Sequence, residues 1–337
     1  MYVTLMIQAV TRYRGRFFLV LLIFLFTLLA CLRGDVGTDT RSYEQLFFHF
    51  LDDYHWNGWE PGFVAVGRSL VAVLPTIELA VRFVSVFIFG CFGVYLFRSD
   101  QNERFILIAY IFPAFIWQYS MNALRLGLAS AVLLLAVQMA RTRGGTALQR
   151  IGAISILFHY SAIFSLLFLT LAQRRWFKLS SLLIVVVLGV VAGVLIVIAQ
   201  DYFLKKMSIY HQMEAPNMFS GLRNIIPVLI IALGVLCGKL PRNIKIKLFV
   251  LSMGSLATGF LLAQVTYAGL RLLDLIAYAF PLAILICYQQ QGLDLSRSTR
   301  IGIFIAGLLA AGAVWRGFLN EAGVGPTPFL PYQLEGF

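Results

Sequence analysis

The sequence predicts an all-α, polytopic integral membrane protein, and three observations carry that prediction. Of 337 residues, 60% are hydrophobic and 12% charged, with a mean hydropathy of +0.85, whereas a soluble domain is roughly half apolar and a quarter charged. Apolar runs recur at close to the roughly 20 residues that a helix needs to cross a bilayer, and no strand-like alternation interrupts them. The short loops are mostly basic, so the net charge of +12 reads as topology and contact with anionic lipid, not nucleic acid. Spanning segments must satisfy their own backbone groups, which makes them helices. The expectation is one membrane domain over residues 1–337, with about nine full spans and two half-helical or re-entrant pieces.

Taken in order, residues 1–16 carry Arg12, Arg14 and Arg16 and no acid, which places the N-terminus in the cytoplasm. Phe17–Leu32 is the first span; no A-x-A cleavage site follows it, so it reads as an anchor. Residues 33–62 then form an outer acidic loop with Asp35, Asp39, Glu44, Asp52, Asp53 and Glu60 against Arg33 and Arg41, together with His49, His55, Trp56 and Trp59. Phe63–Leu74 is about 12 residues long, too short to cross, carries Arg68 and ends at Pro75, so it is read as a half-helix in the outer leaflet. Leu79–Phe97 runs inward to the Arg98–Arg104 loop. Phe105–Trp117 runs out, somewhat short and holding Pro113, to a turn that sets Asn122 and Arg125 at the outer surface.

Leu126–Ala140 returns to an arginine-rich loop without acids. Ile151–Ala172 is one apolar stretch broken by Phe158-His159-Tyr160-Ser161. A single crossing there would put the following basic loops outside; a segment that dips and returns keeps them inside, and the charge pattern favours the return. Ser181–Ala199 leads to a second outer loop, 200–222. Arg223–Cys237, Leu248–Val265, Leu272–Tyr288 and Ile301–Leu319 complete the count, leaving the C-terminus outside. The four cysteines, Cys31, Cys91, Cys237 and Cys287, lie singly in or beside apolar runs and imply neither a metal site nor a disulfide framework.

The motifs of nucleotide-driven pumps, zinc proteases and serine hydrolases are missing. What remains is a set of ionisable groups at membrane depth or at span ends: Arg68, Arg82, Arg125, His159, Arg271 and Asp274. Such groups face a cavity or a partner inside a membrane. Arg68 and Arg82 can instead snorkel to headgroups, and Arg271 with Asp274, three apart on a helix, can be a structural pair. Arginines gathered at the outer face suit an anionic ligand, because guanidinium binds phosphate in bidentate fashion and stays charged in low dielectric. With acids and aromatics beside them, they suit a lipid-linked pyrophosphate carrying a glycan. Arginines would stabilise the leaving pyrophosphate, and a carboxylate or His159 would take the proton from the attacking hydroxyl. No metal or other cofactor is required.

Gly37-Thr38-Asp39-Thr40-Arg41-Ser42-Tyr43, followed by Glu60-Pro61-Gly62-Phe63, resembles the signature of the EpsG-like family. Asn122-x-x-Arg125-x-Gly-Leu-Ala, Phe158-His159-Tyr160-Ser161-Ala162, the Ala268-Gly269-Leu270-Arg271-Leu272 turn and the late Pro331-Tyr332 fit the same pattern in the same order. Thr40-Arg41 departs from it, where a more aromatic pair is expected. That family is similar to the Wzy-type polymerases of exopolysaccharide, capsule and O-antigen synthesis. The resemblance implies an enzyme that polymerises undecaprenyl-diphosphate-linked repeat units at the outer face of the bacterial cytoplasmic (inner) membrane. It carries over Asp39, Tyr43, Glu60, Arg125, His159 and Arg271. Asp39, Glu60 and His159 are the expected catalytic groups, Arg125 and Arg271 the diphosphate ligands, and Tyr43, Trp56, Trp59 and Asn122 the glycan contacts. The expected partners are the lipid-linked oligosaccharide and membrane lipid, with a chain-length regulator or flippase as a candidate partner protein. The alternatives are a lipid-linked glycan flippase or transporter, a transferase using a polyprenyl-phosphate sugar, and an acyltransferase that decorates the glycan.

Overall fold

In a computed structural model, residues 16–51, 58–144, 146–174, 179–212, 219–324 and 327–334 are described. Among them the chain is helical throughout, with one isolated bridge between Arg33 and Leu334. The helices are α1 (Arg16–Cys31), α2 (Thr40–Phe48), α3 (Pro61–Val73), α4 (Ile77–Arg98), α5 (Gln101–Asn122), α6 (Leu124–Arg143), α7 (Thr146–Ile156) and α8 (Ala162–Gln173). They continue as α9 (Leu179–Ile198), α10 (Gln200–Gln212), α11 (Leu222–Leu236), α12 (Arg242–Ala263), α13 (Tyr267–Gln290) and α14 (Arg297–Asn320). Six of them, α4, α5, α6, α12, α13 and α14, are long and apolar enough to cross a membrane. The expected count of nine is therefore not reached by length and composition: α1 and α11 have 16 and 15 residues, and α9 includes side chains outside the described residues.

Two segments read as loops contain helices. In the 33–62 stretch, α2 buries Thr40, Tyr43, Leu46 and Phe47, a spacing that places all four on one helical face. In the 200–222 stretch, α10 occupies Gln200–Gln212. The expected short span Phe105–Trp117 is part of a 22-residue helix. Its C-terminal turn is polar in sequence (Gln118, Ser120, Asn122) but largely buried, so composition hid it.

Helix α5 contains two π-turns, Leu107–Ile111 and Gln118–Asn122. Such wide turns bend a helix and expose carbonyls that the regular ladder would use. Pro113 has no N–H to give to Ala109, four residues back, and the Ala109 carbonyl lies against Gly307 of α14, where any side chain would collide. At the second turn Ala123 N–H reaches Gln118 O at 2.7 Å, and the Ser120 carbonyl accepts from Arg33 Nη1 at 3.2 Å and from Ser85 Oγ. Gly127 of α6 leaves room for the Tyr119 carbonyl there.

Helices α7 and α8 fold as a hairpin. Gln149 near the start of α7 donates to Gln173, the last residue of α8, at 3.0 Å. The broken stretch thus enters and leaves on the same side, with His159 at its tip. That side is a polar floor. Glu103, buried beneath it, accepts from Arg141 Nε at 2.8 Å, Gln289 at 3.1 Å and the Asp100 backbone N–H at 2.8 Å, while Asn102 donates to Asp294 at 3.0 Å. Lys247 of α12 reaches the carbonyls of Ala172 and Arg174.

The opposite polar end gathers residues 33–43, Trp59, Glu60, Asn122, Arg125, Arg223, Tyr267 and the C-terminal tail. That tail returns across the start of the acidic segment: Gly34 N–H bonds Gln333 O at 2.8 Å, Thr327 Oγ1 bonds Gly37 O at 2.7 Å and Tyr332 donates to Leu29 O. Between the two ends lies one apolar core, including Tyr95, Phe89 and Phe92 from α4 and Phe280 from α13.

Candidate active site

The Glu60-Pro61-Gly62-Phe63 run builds half of the first constellation. Glu60 sits in extended conformation just before α3, and Pro61 opens the helix, a position that costs proline nothing because its N–H would be unpaired there anyway. Gly62 N–H bonds Leu157 O at 2.8 Å, and a Cβ at Gly62 would lie 2.9 Å from that oxygen. Only glycine lets α3 sit this close to the tip of the α7–α8 hairpin. Phe63 is fully buried against Tyr43 and Phe47 of α2.

That close approach brings three ionisable groups together. Arg125 Nη1, one residue into α6, donates to Glu60 Oε2 at 2.7 Å and to the Tyr202 hydroxyl of α10 at 3.0 Å. His159 Nδ1 meets Glu60 Oε1 at 2.9 Å. The Glu60 side chain is 0% exposed, against 13% for Arg125 and 18% for His159. Burial alone would push the Glu60 carboxyl up, but Arg125 and His159 outweigh it and hold the group at about 2. Glu60 is therefore an ionised, acceptor-only carboxylate, so His159 Nδ1 must be the donor and the basic nitrogen of the neutral ring is Nε2. Aromatic rings enclose the group: the Arg125 guanidinium stacks 4.6 Å over Trp59, whose ring meets Tyr202 edge-on, and Tyr160 donates to the Trp59 carbonyl at 3.2 Å. Tyr43 is buried beneath them; burial raises its phenol and Arg125 acts in the opposite sense, which leaves it neutral.

The second constellation is an open cleft of about 450 Å³ lined by Thr38, Asp39, Asn122, Arg223, Asn224, Tyr267, Arg271, Asp274 and Glu321 among others. The π-turn that ends α5 presents Asn122 Oδ1 to Asp39 N–H at 2.7 Å and Thr38 Oγ1 at 3.0 Å. Gly37, at φ +103°, makes the bend that brings these residues in. Across the cleft Asn224 donates to Asp274 at 2.7 Å. Arg223 and Arg271 flank the same carboxylate, each at 3.9 Å.

The residues singled out from sequence thus divide. Glu60, Arg125 and His159 meet, with Trp59 and Tyr43 packed around them. Asp39, Asn122 and Arg271 line the cleft instead, and Arg125 is not in that lining; the two arginines expected to converge are held in different surroundings. Trp56 lies outside the described residues. Sequence reasoning missed Tyr202, Arg223 and Asn224. Among the described residues no cluster of His, Cys, Asp and Glu is arranged to hold a metal ion. A family model described as "EpsG family" matches residues 16–334, whereas no curated protein and no solved structure matches the chain.

Proposed function

This chain belongs to the EpsG family, a Wzy-like polymerase family whose members imply a membrane glycan polymerase-like function, and from that premise we propose that it joins lipid-diphosphate-linked oligosaccharide repeat units. The lipid is undecaprenyl diphosphate, and the reaction takes place at the outer face of the cytoplasmic membrane. The observation that carries this reading is the buried Glu60–His159 contact beside Arg125.

Joining two repeat units needs a sugar hydroxyl of one to attack the anomeric carbon of the other. The carbon–oxygen bond to the diphosphate breaks and the hydroxyl loses its proton. A carboxyl held at about 2 is too weak a base to take that proton near neutral pH. Glu60 instead fixes the His159 ring with Nδ1 donating, and Nε2 accepts the proton, the division of labour of an acid–imidazole pair. Arg125 keeps Glu60 ionised and stacks on Trp59, which helps set the wall of the sugar site. Asp39 and Asn122, in the neighbouring cleft, are placed to receive glycan hydroxyls.

Glycan chain length in a strain lacking the protein tests the reading. Loss of polymer with retention of a single capped repeat unit supports it. Loss of all surface glycan points to a flippase, and an undecorated glycan of normal length to a modifying transferase.

A further inference from the structure

We propose that Thr327 is a positioning residue: from the C-terminal tail it clamps the Gly37 bend and so holds Asp39 on the wall of the open cleft. This rests on the proposed function, because the clamp serves the glycan contact assigned there to Asp39.

The bend is gripped from two sides. On one side stands the π-turn that ends α5. Asn122 Oδ1 accepts from Asp39 N–H at 2.7 Å and from Thr38 Oγ1 at 3.0 Å, and a Cβ at Gly37 would lie 2.9 Å from the Met121 carbonyl oxygen. On the other side lies the tail. Thr327 is buried, and its Oγ1 donates to Gly37 O at 2.7 Å. The same carbonyl accepts from Thr40 N–H at 2.9 Å, in the turn that leads into α2. A carbonyl oxygen has two lone pairs, and both are engaged. Asp39 sits inside that turn, with its own N–H on Asn122.

The tail itself does not depend on Thr327. Gly34 N–H bonds Gln333 O at 2.8 Å, and Gly323 N–H bonds Leu330 O at 2.7 Å. Phe329 is buried and stacks on Phe318 of α14 with ring centroids 4.5 Å apart. Both rings line the same cleft as Asp39. A buried hydroxyl is unfavourable unless it is bonded, and packing alone would be served by valine at position 327. The hydroxyl is instead directed at one carbonyl in the cleft wall. That bond joins residues 290 apart in the chain, so this wall is complete only once the tail has docked on the acidic segment.

The test uses the full-length protein in phosphatidylcholine nanodiscs. The probe is the lipid-linked repeat units extracted from a strain lacking the protein. Thr327→Val keeps the shape, removes the hydroxyl and leaves Gly37 O its Thr40 partner; a thermal melt establishes that the variant is folded. It should raise KM about three- to tenfold, the worth of one neutral hydrogen bond. Its kcat should stay within about twofold, because a binding wall has loosened while the Glu60–His159 contact has not. Thr327→Ser keeps the hydroxyl and should restore the wild-type KM. Amide hydrogen exchange should quicken at Asp39 and Thr40 in Thr327→Val, and stay unchanged at Gly62, whose N–H is bonded to Leu157 O. Tyr332→Phe removes the tail's bond to Leu29 O, away from the bend, and should leave KM and exchange at Asp39 as in the wild type. A wild-type KM in Thr327→Val, a fall in kcat alone, failure of Thr327→Ser to restore KM, or unchanged exchange at Asp39 overturns the clamp. If exchange responds as expected but the wild type joins no repeat units, the polymerase reading fails and the clamp on the bend stands. If the wild type joins them and Thr327→Val matches it in both KM and exchange, only the clamp fails.

Discussion

Two places in this molecule set a carboxylate between two cationic or potentially cationic groups, and they differ in almost every other respect. At Glu60 the carboxylate is fully buried, its contacts are 2.7 and 2.9 Å, and the partners are 13% and 18% exposed. At Asp274 both arginine contacts are 3.9 Å and the arginines are more than half exposed. The same residue types thus serve two ends. A short, desolvated pair fixes geometry, because breaking it leaves a charge stranded in low dielectric. A long, solvated pair contributes little to holding geometry. The first place can orient a proton acceptor; the second, long and solvated, fixes no such geometry.

The largest expected effect follows from the buried pair. Glu60→Gln or Arg125→Gln leaves one uncompensated charge and should cost about 3–5 kcal/mol of stability, read as lower membrane abundance and a lower melting temperature. Asp274→Asn should cost under about 1 kcal/mol. If the two carboxylate variants melt at the same temperature, the contrast between the sites disappears.

Next in size is the pH response. The folded-state Glu60 carboxyl, at about 2, lies below its ordinary 4.5. Its pairing therefore stabilises the fold fully above about pH 4.5 and is lost as pH falls toward 2. The melting temperature of the wild type should approach that of Glu60→Gln only across that acid window. A gap that is constant from pH 7 to pH 3 would show that Glu60 is not ionised in the folded protein.

A smaller effect is expected at Gly62. An added Cβ would meet Leu157 O at 2.9 Å and Leu157 Cβ at 3.0 Å, so Gly62→Ala should shift α3 by a few tenths of an ångström. Overpacking of this kind costs about 1–3 kcal/mol. Because Glu60 moves with α3, the variant should lose activity beyond what its melting temperature explains. Unchanged activity would mean that the close approach serves packing alone.

Much of this architecture was legible in the sequence, and the reasons differ by element. The Glu60-to-Phe63 run could be read because each residue does one local job: acid, helix opener, close contact, core anchor. The break at residues 158–161 was visible as polar residues in an apolar stretch, and the hairpin follows from the basic loops on either side of it. The six long helices followed from hydropathy. Helix α2 was missed because its apolar face is short and surrounded by acids, and the end of α5 because half-buried Gln118 and buried Ser120 and Asn122 look like a loop in composition. Tyr202 was out of reach: its bond to Arg125 spans 77 residues and depends on how α10 folds back over Gly58, whose positive φ lets that loop pack on Tyr202. The convergence expected of Arg125 and Arg271 failed for a related reason. Both open a span, but helix order in the bundle decides which neighbours each one meets, and sequence spacing does not carry that order.

The central claim is that Glu60 orients His159 and His159 moves the proton. The most direct measurement is the glycan chain-length distribution made by His159→Gln at wild-type membrane abundance. General-base removal costs roughly 10²–10⁴ in rate, so the variant should accumulate single repeat units with little polymer, while its melting temperature stays well above that of Glu60→Gln. A normal polymer distribution from His159→Gln at equal abundance would contradict the account.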